Sequence, residues 1–203
     1  MKVLAIVVTF NRSKLLLRCL NGIKNQSRPV DKILVVNNGS TDNTAEILSS
    51  TGLDHINQNN LGSAGGWNSG IKYALKNKFD YVWLMDDDGY PDQDALKILL
   101  HNVDRNTACI SSIVVQEDMP SRFVFSFPDI DSKGNPKIFS FFNKTHYVSK
   151  SNHNKSGLID YAHLFNGALI SVPCIKKIGN VDKNYFMYGD EVDYYFRLKS
   201  VGK

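Results

Sequence analysis

The sequence FDYVWLMDDD, residues 79–88, joins an apolar run directly to three consecutive aspartates. Residues 79–85 predict a strand covered on both faces, because short continuous apolar runs are typical of buried strands in parallel sheets. Three adjacent carboxylates repel one another, so a fold gains no stability by placing them at the tip of such a strand. The carboxyl edge of a sheet is, however, where α/β proteins bind their ligands. The stretch therefore predicts a parallel sheet with a site at its edge.

The acidic triplet also indicates the kind of site. Carboxylate oxygens are the ligands that Mg²⁺ and Mn²⁺ prefer, and these ions often bridge to substrate phosphates. In an extended segment Asp86 and Asp88 point to the same side, so both can face one ion. The alternative is a solvated acidic loop, and most isolated triplets of aspartate belong to such loops. Its position at a strand end favours a metal and phosphate site.

Apolar runs on either side of this stretch alternate with helical patterns. Ser13 is predicted to cap the first helix, Pro91 is predicted to begin a later one, and residues 190–201 predict the last. Strands that alternate with helices indicate an α/β domain with a largely parallel sheet and right-handed crossovers. The other runs predicted as strands are residues 3–9, 32–36, 53–57, 109–115 and 168–172.

Residues 117–160 break this alternation, because they are polar and aromatic with little periodicity. The alternation of Phe123, Phe125 and Phe127 predicts an antiparallel strand with one aromatic face. The sequence shows no internal repeat and no linker. We therefore expect a single domain over residues 1–203, built in two parts, residues 1–116 and residues 117–203.

The composition excludes several classes of protein. With 203 residues, 42% hydrophobic and 22% charged, the chain is typical of a globular domain. The net charge of +4 comes without a dense basic run, so nucleic acid is not an expected partner. Three widely separated cysteines argue against a disulfide framework or a CxxC metal site, and the apolar N-terminus is too short to span a membrane. These features favour a cytoplasmic protein.

Two polar loops are predicted at the same sheet edge as the triplet. One contains Thr9, Asn11 and Arg12, and the other begins with Asn37 and Asn38. Arg12 can meet a phosphate and Asn38 can hydrogen-bond a nucleobase. Taken singly, each loop is equally well explained as a turn or a helix cap.

A glycine-dense stretch, residues 62–70, is predicted at the start of a helix. Its backbone amides can approach a phosphate or sugar closely, although a merely permissive helix entry explains it equally well. It matches neither GxGxxG directly after the first strand nor GxxxxGK[ST]. The dehydrogenase and P-loop interpretations therefore lose support.

The beginning of the last helix carries two candidates for a catalytic base, Asp190 and Glu191. Carboxylates in a first turn are also favoured by the helix dipole, which is a purely structural explanation. Asp193 and Arg197 are four residues apart and are predicted to pair on one helix face.

Together these segments resemble the family 2 glycosyltransferases, which have the GT-A fold. The resemblance covers nearly the whole chain, and its specificity comes from the order of the motifs. The residues that carry it are Val7–Arg12, Val36–Asp42, Asn60–Gly62, Gly65–Gly70, Asp86–Asp88, Phe165–Ala168 and Gly189–Asp193 with Arg197. It implies a Rossmann-like, mostly parallel sheet with helices on both faces and a smaller antiparallel acceptor-side portion. The glycine-glycine-aromatic segment is most similar to the galactofuranosyl- and rhamnosyltransferase-like branch.

The resemblance implies a role for each motif. Asp86 and Asp88 would hold Mn²⁺ or Mg²⁺ in a DXD-type motif, and Glu191 would be the catalytic base, with Asp190 beside it. The residues implied on the donor side are Thr9, Asn11, Arg12, Asn38, Gly65, Trp67, Asn68, Asp86 and Asp87. Those implied on the acceptor side are Asn166, Gly167 and Ala168.

Three departures from the family pattern stand out. The family usually has Asp where Asn38 stands, and Glu191 replaces the usual catalytic Asp. Members typically continue beyond the last helix, where a histidine often completes the metal site. We therefore expect this chain to be C-terminally truncated relative to the family.

The expected function is inverting glycosyl transfer in the synthesis of cell-surface polysaccharide. The donor would be a UDP- or dTDP-linked sugar, and the acceptor a hydroxyl of a glycan or lipid-linked sugar, at the inner face of the membrane. Two rivals remain: a sugar-nucleotide nucleotidyltransferase, and a non-catalytic module that binds a nucleotide or sugar. The first should show a glycine-rich basic loop after the first strand, whereas residues 9–13 contain no glycine.

Overall fold

A six-stranded mixed sheet forms the centre of the molecule. The computed structural model describes residues 1–128, 145–147, 158–159 and 161–202. The strands are β1 Val3–Thr9, β2 Lys32–Asn37, β3 Asp54–Asn57, β4 Tyr81–Asp86, β5 Cys109–Ser111, β6 Arg122–Phe127, β7 Thr145–Tyr147 and β8 Asn166–Ser171. The helices are α1 Ser13–Lys24, α2 Thr44–Thr51, α3 Gly62–Lys76, α4 Ala95–Asn102, α5 Val172–Ile178 and α6 Asp190–Lys199, with a short 3₁₀ helix at Lys183–Tyr185.

The order of the sheet is β3-β2-β1-β4-β8-β5. The first four strands in this order are parallel, with Val8 of β1 opposite both Val36 of β2 and Asp86 of β4. β8 runs antiparallel to both β4 and β5. The loops after β1, β2 and β4 therefore meet at one edge, as the sequence predicted. The mostly parallel sheet is confirmed.

Helices cover both faces of the sheet. On one face α3, α5 and α6 pack through residues such as Trp67, Ile175 and Tyr194. On the other face α1, α2 and α4 pack through residues such as Leu16 and Leu48. The central strands are buried on both sides, which explains their continuous apolar sequence.

The glycine-dense stretch lies inside α3 rather than before it. A Cβ on Gly66 would lie 2.5 Å from Val8 Cγ1, and one on Gly70 would lie 2.5 Å from Ile6 Cγ2. The glycines let α3 lie directly on β1, so close helix–sheet packing explains them. The stretch was predicted at the start of a helix, and α3 begins at Gly62.

Three predicted boundaries also differ. α4 begins at Ala95 instead of Pro91, because the side chain of Gln26 accepts a hydrogen bond from Leu96 N (2.9 Å) and fixes the first turn there. Ser13 makes no capping bond of its own. Asp42 accepts from its backbone N–H (3.1 Å) instead. The strand predicted over residues 109–115 ends at Ser111.

The alternating phenylalanines form the expected antiparallel strand, since β6 pairs with β7. Phe123 and Phe127 are buried and Phe125 is partly exposed. Most of residues 128–160, including Phe139, Phe141 and Phe142, lies outside the described residues. Among the described helices, none combines the length and apolar character needed to cross a membrane.

Candidate active site

Asp87 anchors the edge of the sheet from within. Its carboxylate accepts hydrogen bonds from Thr9 Oγ1 (2.7 Å) and from an Arg12 nitrogen (3.3 Å), and the residue is 4% exposed. Burial raises its pKa, against the hydrogen bond from Thr9 and the charge of Arg12, which lower it. Asp87 therefore ties the end of β4 to the end of β1 and the entry of α1.

Asp86 and Asp88, on either side of this anchor, have different surroundings. Asp88 is exposed and pairs with Arg12 at 2.7 Å. Asp86 faces a cleft, where burial raises its pKa to about 7, helped by the charges of Asp88, Asp87 and Glu191. Arg12, expected to meet a phosphate, is held here by two of the aspartates.

The acidic edge fits a divalent cation in its donor chemistry. Burial and the neighbouring carboxylates disfavour the ionised form of Asp86, and a cation would offset both effects. Within the described ranges, no cluster of three or more His, Cys, Asp or Glu side chains is positioned to hold a metal. The strand ends at Asp86 and residues 87–88 form a turn, so Asp86 lines the cleft while Asp88 pairs with Arg12; the extended segment expected to turn both carboxylates to one side ends at Asp86.

Asn11 joins the loop after β1 to the loop after β2. Its backbone lies in the left-handed region (φ 55°), and its side-chain oxygen accepts from Thr41 N at 2.6 Å. Its own N–H donates to Ser40 Oγ at 3.0 Å. Asn11 is exposed at the predicted edge and shapes both loops.

Asn38 is buried, and its side chain is fully occupied. The amide nitrogen donates to Gly62 O (2.9 Å) and Asn60 Oδ1 (3.3 Å), while the oxygen accepts from Gln58 Nε2 (2.8 Å) and Leu61 N (3.2 Å). These four bonds use its whole donor and acceptor capacity. In this structure the Asn38 side chain fixes the entry of α3 and has no free donor or acceptor for a nucleobase, so the expected side-chain contact is not available in this arrangement.

Gly65, Trp67 and Asn68 also act through packing. Gly65 is buried beside Leu61, and Trp67 is 0% exposed and stacks on Phe165 with ring centroids 4.7 Å apart. Asn68 donates to Val181 O at 2.6 Å. Direct donor contact was expected at these positions. In the structure these three residues instead pack against or hydrogen-bond to other parts of the protein.

The first turn of α6 brings Asp190 and Glu191 to the cleft that contains Asp86. Asp190 is buried, burial raises its pKa, and its Oδ2 lacks a hydrogen-bond partner among the described residues. Burial also raises the pKa of Glu191, to about 7. Asp193 pairs with Arg197 at 2.6 Å, as predicted.

Two clefts meet at Glu191. We call the first the acidic cleft: it measures about 360 Å³ and is lined by Asp86, Asn166, Asp190 and Glu191, with Ser63, Phe125, Phe165, Val192 and residues 187–189. We call the second the aromatic cleft: it measures about 410 Å³ and is lined by Phe125, Tyr161, His163, Glu191, Tyr195 and Phe196, with Val124, Ser126, Pro128 and Val192. Phe125, Glu191 and Val192 line both.

The acceptor-side residues separate in the structure. Asn166 lines the acidic cleft, whereas Ala168 is buried in the sheet. Gly167 is buried with φ 91°, and its carbonyl accepts from Trp83 Nε1 (3.3 Å) and Ser112 N (3.2 Å). Of this motif, only Asn166 is placed to meet a ligand.

Several lining residues were not predicted. Met187 and Tyr188 line the acidic cleft and are exposed, with Tyr188 at φ 66°. His163 lines the aromatic cleft. The sequence carried two signals for these residues. His163 and Asn166 lie three residues apart just before the strand predicted at residues 168–172, and the aromatic residues of 185–188 directly precede Gly189.

Comparison with known families identifies close sequence relatives. The sequence model described as glycosyl transferase family 2 matches residues 4–166. Galactofuranosyltransferase GlfT1 of Mycolicibacterium smegmatis is 32% identical over 207 residues, covering 98% of this chain and 66% of that protein. GlfT1 of Mycobacterium tuberculosis is 31% identical over 206 residues, covering 97% and 64%. The chain thus spans slightly less than two thirds of the length of these relatives.

Solved structures share the fold. TarS 1–349 of S. aureus matches with a TM-score of 0.65 at 17% identity, over 100% of this chain and 56% of that one. The mannosyltransferase PcManGT from Pyrobaculum calidifontis, solved with GDP-Man and Mn²⁺, matches with a TM-score of 0.59 at 18% identity, over 90% and 48%. These neighbours confirm the GT-A fold implied by the sequence motifs.

Proposed function

Because this chain belongs to glycosyl transferase family 2, we propose that it moves a sugar from a nucleoside-diphosphate-sugar to a hydroxyl of a glycan or lipid-linked acceptor, with inversion at the anomeric carbon. The observation that carries the proposal is the joint position of Asp86 and Glu191 in the acidic cleft. Asp86, suited to hold a metal ion with the diphosphate, and Glu191, suited to accept a proton, thus face the same cleft. A metal-dependent single displacement uses both.

Asp86 and Asp88 would hold Mn²⁺ or Mg²⁺ together with the donor diphosphate. The bound cation supplies Lewis acidity, which neutralises the negative charge of the departing nucleoside diphosphate. Arg12 already contacts Asp87 and Asp88, so its positive charge lies at the same edge. Thr9 and Asp87 hold these groups in place.

Glu191 is the better candidate for the general base, and Asp190 the lesser one. The Glu191 side chain is 37% exposed and reaches both clefts, whereas Asp190 is buried and lines only the acidic cleft. The Glu191 pKa of about 7 suits a group that must take a proton near neutral pH. The Oε1 atom of Glu191 is buried and lacks a hydrogen-bond partner within the described residues.

The reaction proceeds in one displacement. The acceptor oxygen attacks the anomeric carbon from the face opposite the diphosphate while its proton passes to Glu191. The bond between the anomeric carbon and the phosphate oxygen breaks, and its electron pair leaves with the nucleoside diphosphate. Attack from the opposite face gives inversion.

The donor proposal follows the relatives. UDP- or dTDP-linked sugars are proposed, and UDP-galactofuranose is the first to test, because the two GlfT1 proteins are galactofuranosyltransferases. A role in cell-surface polysaccharide synthesis at the inner face of the membrane, with peripheral membrane contact, is proposed on the same ground.

Calorimetric titration with UDP, with and without Mn²⁺, tests the donor site. We expect binding that depends on the ion, and we expect Asp86→Asn to abolish that dependence while the matched change Asp118→Asn, at an exposed position outside both clefts, leaves it intact. Ion-independent binding, or none, would contradict the proposed metal–diphosphate site.

The rivals give different results with UDP-galactofuranose and the other nucleotide-sugars. A non-catalytic module binds the donor but releases no UDP and forms no glycoside. A nucleotidyltransferase instead makes nucleotide-sugar from nucleoside triphosphate and sugar phosphate. Glycoside formation with release of UDP would exclude both.

A further inference from the structure

We propose that the aromatic cleft binds the ring of an acceptor sugar bearing two neighbouring hydroxyls, one facing Glu191 and the other hydrogen-bonded by His163. The inference rests on the proposed function and extends it to the acceptor. It assigns a specificity role to His163 and Phe196, which no sequence motif marked.

The walls of the aromatic cleft suit a sugar ring. Phe125 and Phe196 line it and are 37% and 39% exposed, so their faces are accessible to a ligand. Tyr161 packs beside Tyr195 with ring centroids 4.8 Å apart, and this pair is part of the same wall. Rigid aromatic side chains offer contact area to the apolar face of a sugar at little cost in conformational entropy.

His163 supplies a polar group at the base of this wall. Its ring lies between Phe127 (4.9 Å), Tyr161 (5.1 Å) and Phe125 (5.4 Å), which hold its orientation. Nε2 is buried and lacks a hydrogen-bond partner among the residues that the structure describes. A buried polar atom without a hydrogen-bond partner costs free energy. The cleft therefore favours a ligand with a hydroxyl that pairs with Nε2 over one without it.

His163 and Glu191 are neighbours in the wall of the aromatic cleft, and the His163 atom nearest Glu191 is Nδ1, on the same ring as the unpartnered Nε2. His163 Nδ1 lies 3.9 Å from Glu191 Oε1, so the two side chains are neighbours without a direct hydrogen bond. Glu191 also lines the acidic cleft, where the donor is proposed. A ring in the aromatic cleft can therefore direct one hydroxyl to Glu191 and the donor, while an adjacent hydroxyl meets His163.

The experiment measures binding of octyl glycosides of galactose, galactofuranose, glucose and rhamnose by ligand-observed NMR with UDP and Mn²⁺ present. We expect at least one of these probes to bind, and Phe196→Ala and His163→Gln each to weaken it about 10-fold, the loss of one buried hydrogen bond or one packed ring. Ile98→Ala and His101→Gln, at exposed positions on α4, are the matched controls and should bind as the parent does.

A monodeoxy series of the bound glycoside completes the test. Removal of the hydroxyl beside the reacting one should weaken binding to the parent about 10-fold and to His163→Gln hardly at all. Equal losses in both proteins would overturn the role of His163. If UDP binds but none of the glycosides does, or if Phe196→Ala binds as the parent does, the proposal for the aromatic cleft fails while the proposed function stands. Glycoside binding that depends on Phe196 without any binding of UDP would support the cleft and contradict the proposed function.

Because His163 is mostly buried, its variant needs a check of folding. UDP affinity and the melting temperature of His163→Gln should match those of the parent. A loss of UDP binding in this variant would place His163 in the donor site or the core and would contradict the proposal. Phe196→Ala, at a half-exposed position, tests the same cleft without this complication.

Discussion

Glu191 is the side chain on which the proposed chemistry depends most directly. Glu191→Gln keeps the size of the side chain and removes the base, so we expect the transfer rate to fall about 10²- to 10⁴-fold, the usual contribution of general base catalysis. UDP affinity should stay within about twofold, because the donor contacts proposed for Asp86 and Asp88 are untouched. Steady-state kinetics and calorimetry on the same preparation measure both.

Glu117→Gln is the control for this substitution. Glu117 is exposed and pairs with Arg18, outside both clefts. Its replacement should leave transfer unchanged. If Glu191→Gln transfers as fast as the parent, Asp190 becomes the base to test by Asp190→Asn.

The raised pKa of Glu191 predicts a pH dependence. Only the ionised carboxylate can take the acceptor proton, and burial raises its pKa to about 7. The transfer rate at saturating substrates should therefore rise about tenfold per pH unit below pH 7 and level off above it. The rate rises with pH because the active form of Glu191 is the deprotonated one.

Asp86 also has a pKa raised to about 7, so the pH profile must be separated from donor binding. UDP affinity with Mn²⁺ is measured at each pH, and the rate is compared at equal donor occupancy. A rate that falls as the pH rises through 7 at full occupancy would show that the essential group works in its protonated form.

At the scale of elements, the contact between α3 and β1 explains why the chain carries so many glycines there. The α3 glycines interleave with Ile6 and Val8, and Gly62 (φ 72°) lets the Phe186 carbonyl reach Ala64 N at 3.1 Å. The segment before α6 is thereby joined to the entry of α3. The position of the acidic cleft thus depends on residues that no ligand touches.

Gly66→Ala tests this contact. An alanine in a helix gains about 1 kcal/mol over glycine, but the added Cβ would lie 2.5 Å from Val8 Cγ1, and overpacking of a core costs about 1–3 kcal/mol. We expect a net loss in the free energy of unfolding, measured by urea denaturation. In a Val8→Ala background the Gly66→Ala change should cost less than it does in the parent, because the clashing methyl groups are absent.

Gly22→Ala in α1 is the matched control. Its added Cβ would lie 3.0 Å from Pro91 Cδ, a contact that a small shift of a loop can relieve. It should be close to neutral. A Gly66→Ala chain at least as stable as the parent would contradict the packing explanation.

At the scale of the whole molecule, local patterns predicted more of the sheet than of the site. Continuous apolar runs marked β1, β2 and β4, because a strand buried on both faces needs apolar residues at every position. The same runs placed Asp86 at the carboxyl edge. Local periodicity does not encode strand order, so the insertion of β8 between β4 and β5 was not predicted.

The predicted site residues whose side chains turn away from the cleft share one cause. Asn38 and Trp67 look like ligand contacts in sequence because they lie in motifs near the edge. Whether a side chain faces the cleft or the core depends on the partners that tertiary folding brings, such as Gln58 and Asn60 for Asn38 or Phe165 for Trp67. His163 was missed for the same reason, since the rings around it come from β6 and from Tyr161.

The last prediction concerns whether these distant segments act as one site. The loops after β1, β2 and β4 meet the start of α6 only through the fold, although they are up to about 180 residues apart in sequence (residues 10 and 190). If a nucleoside diphosphate and a cation bind among them, hydrogen exchange should slow in all four segments together. We expect protection at residues 10–13, 38–42, 86–90 and 187–192 on adding UDP and Mn²⁺, because ligand binding suppresses local opening.

Two comparisons make this measurement decisive. α4, Ala95–Asn102, lies outside both clefts and should exchange as it does without ligand, and Asp86→Asn should remove the protection from all four segments at once. Since Asn38 is held by Asn60, Gln58 and α3, its loop should gain protection through that support rather than by contact with the base. Protection limited to residues 86–90 would mean that the acidic triplet binds the cation alone, and the single site argued from the joint position of Asp86 and Glu191 would be wrong.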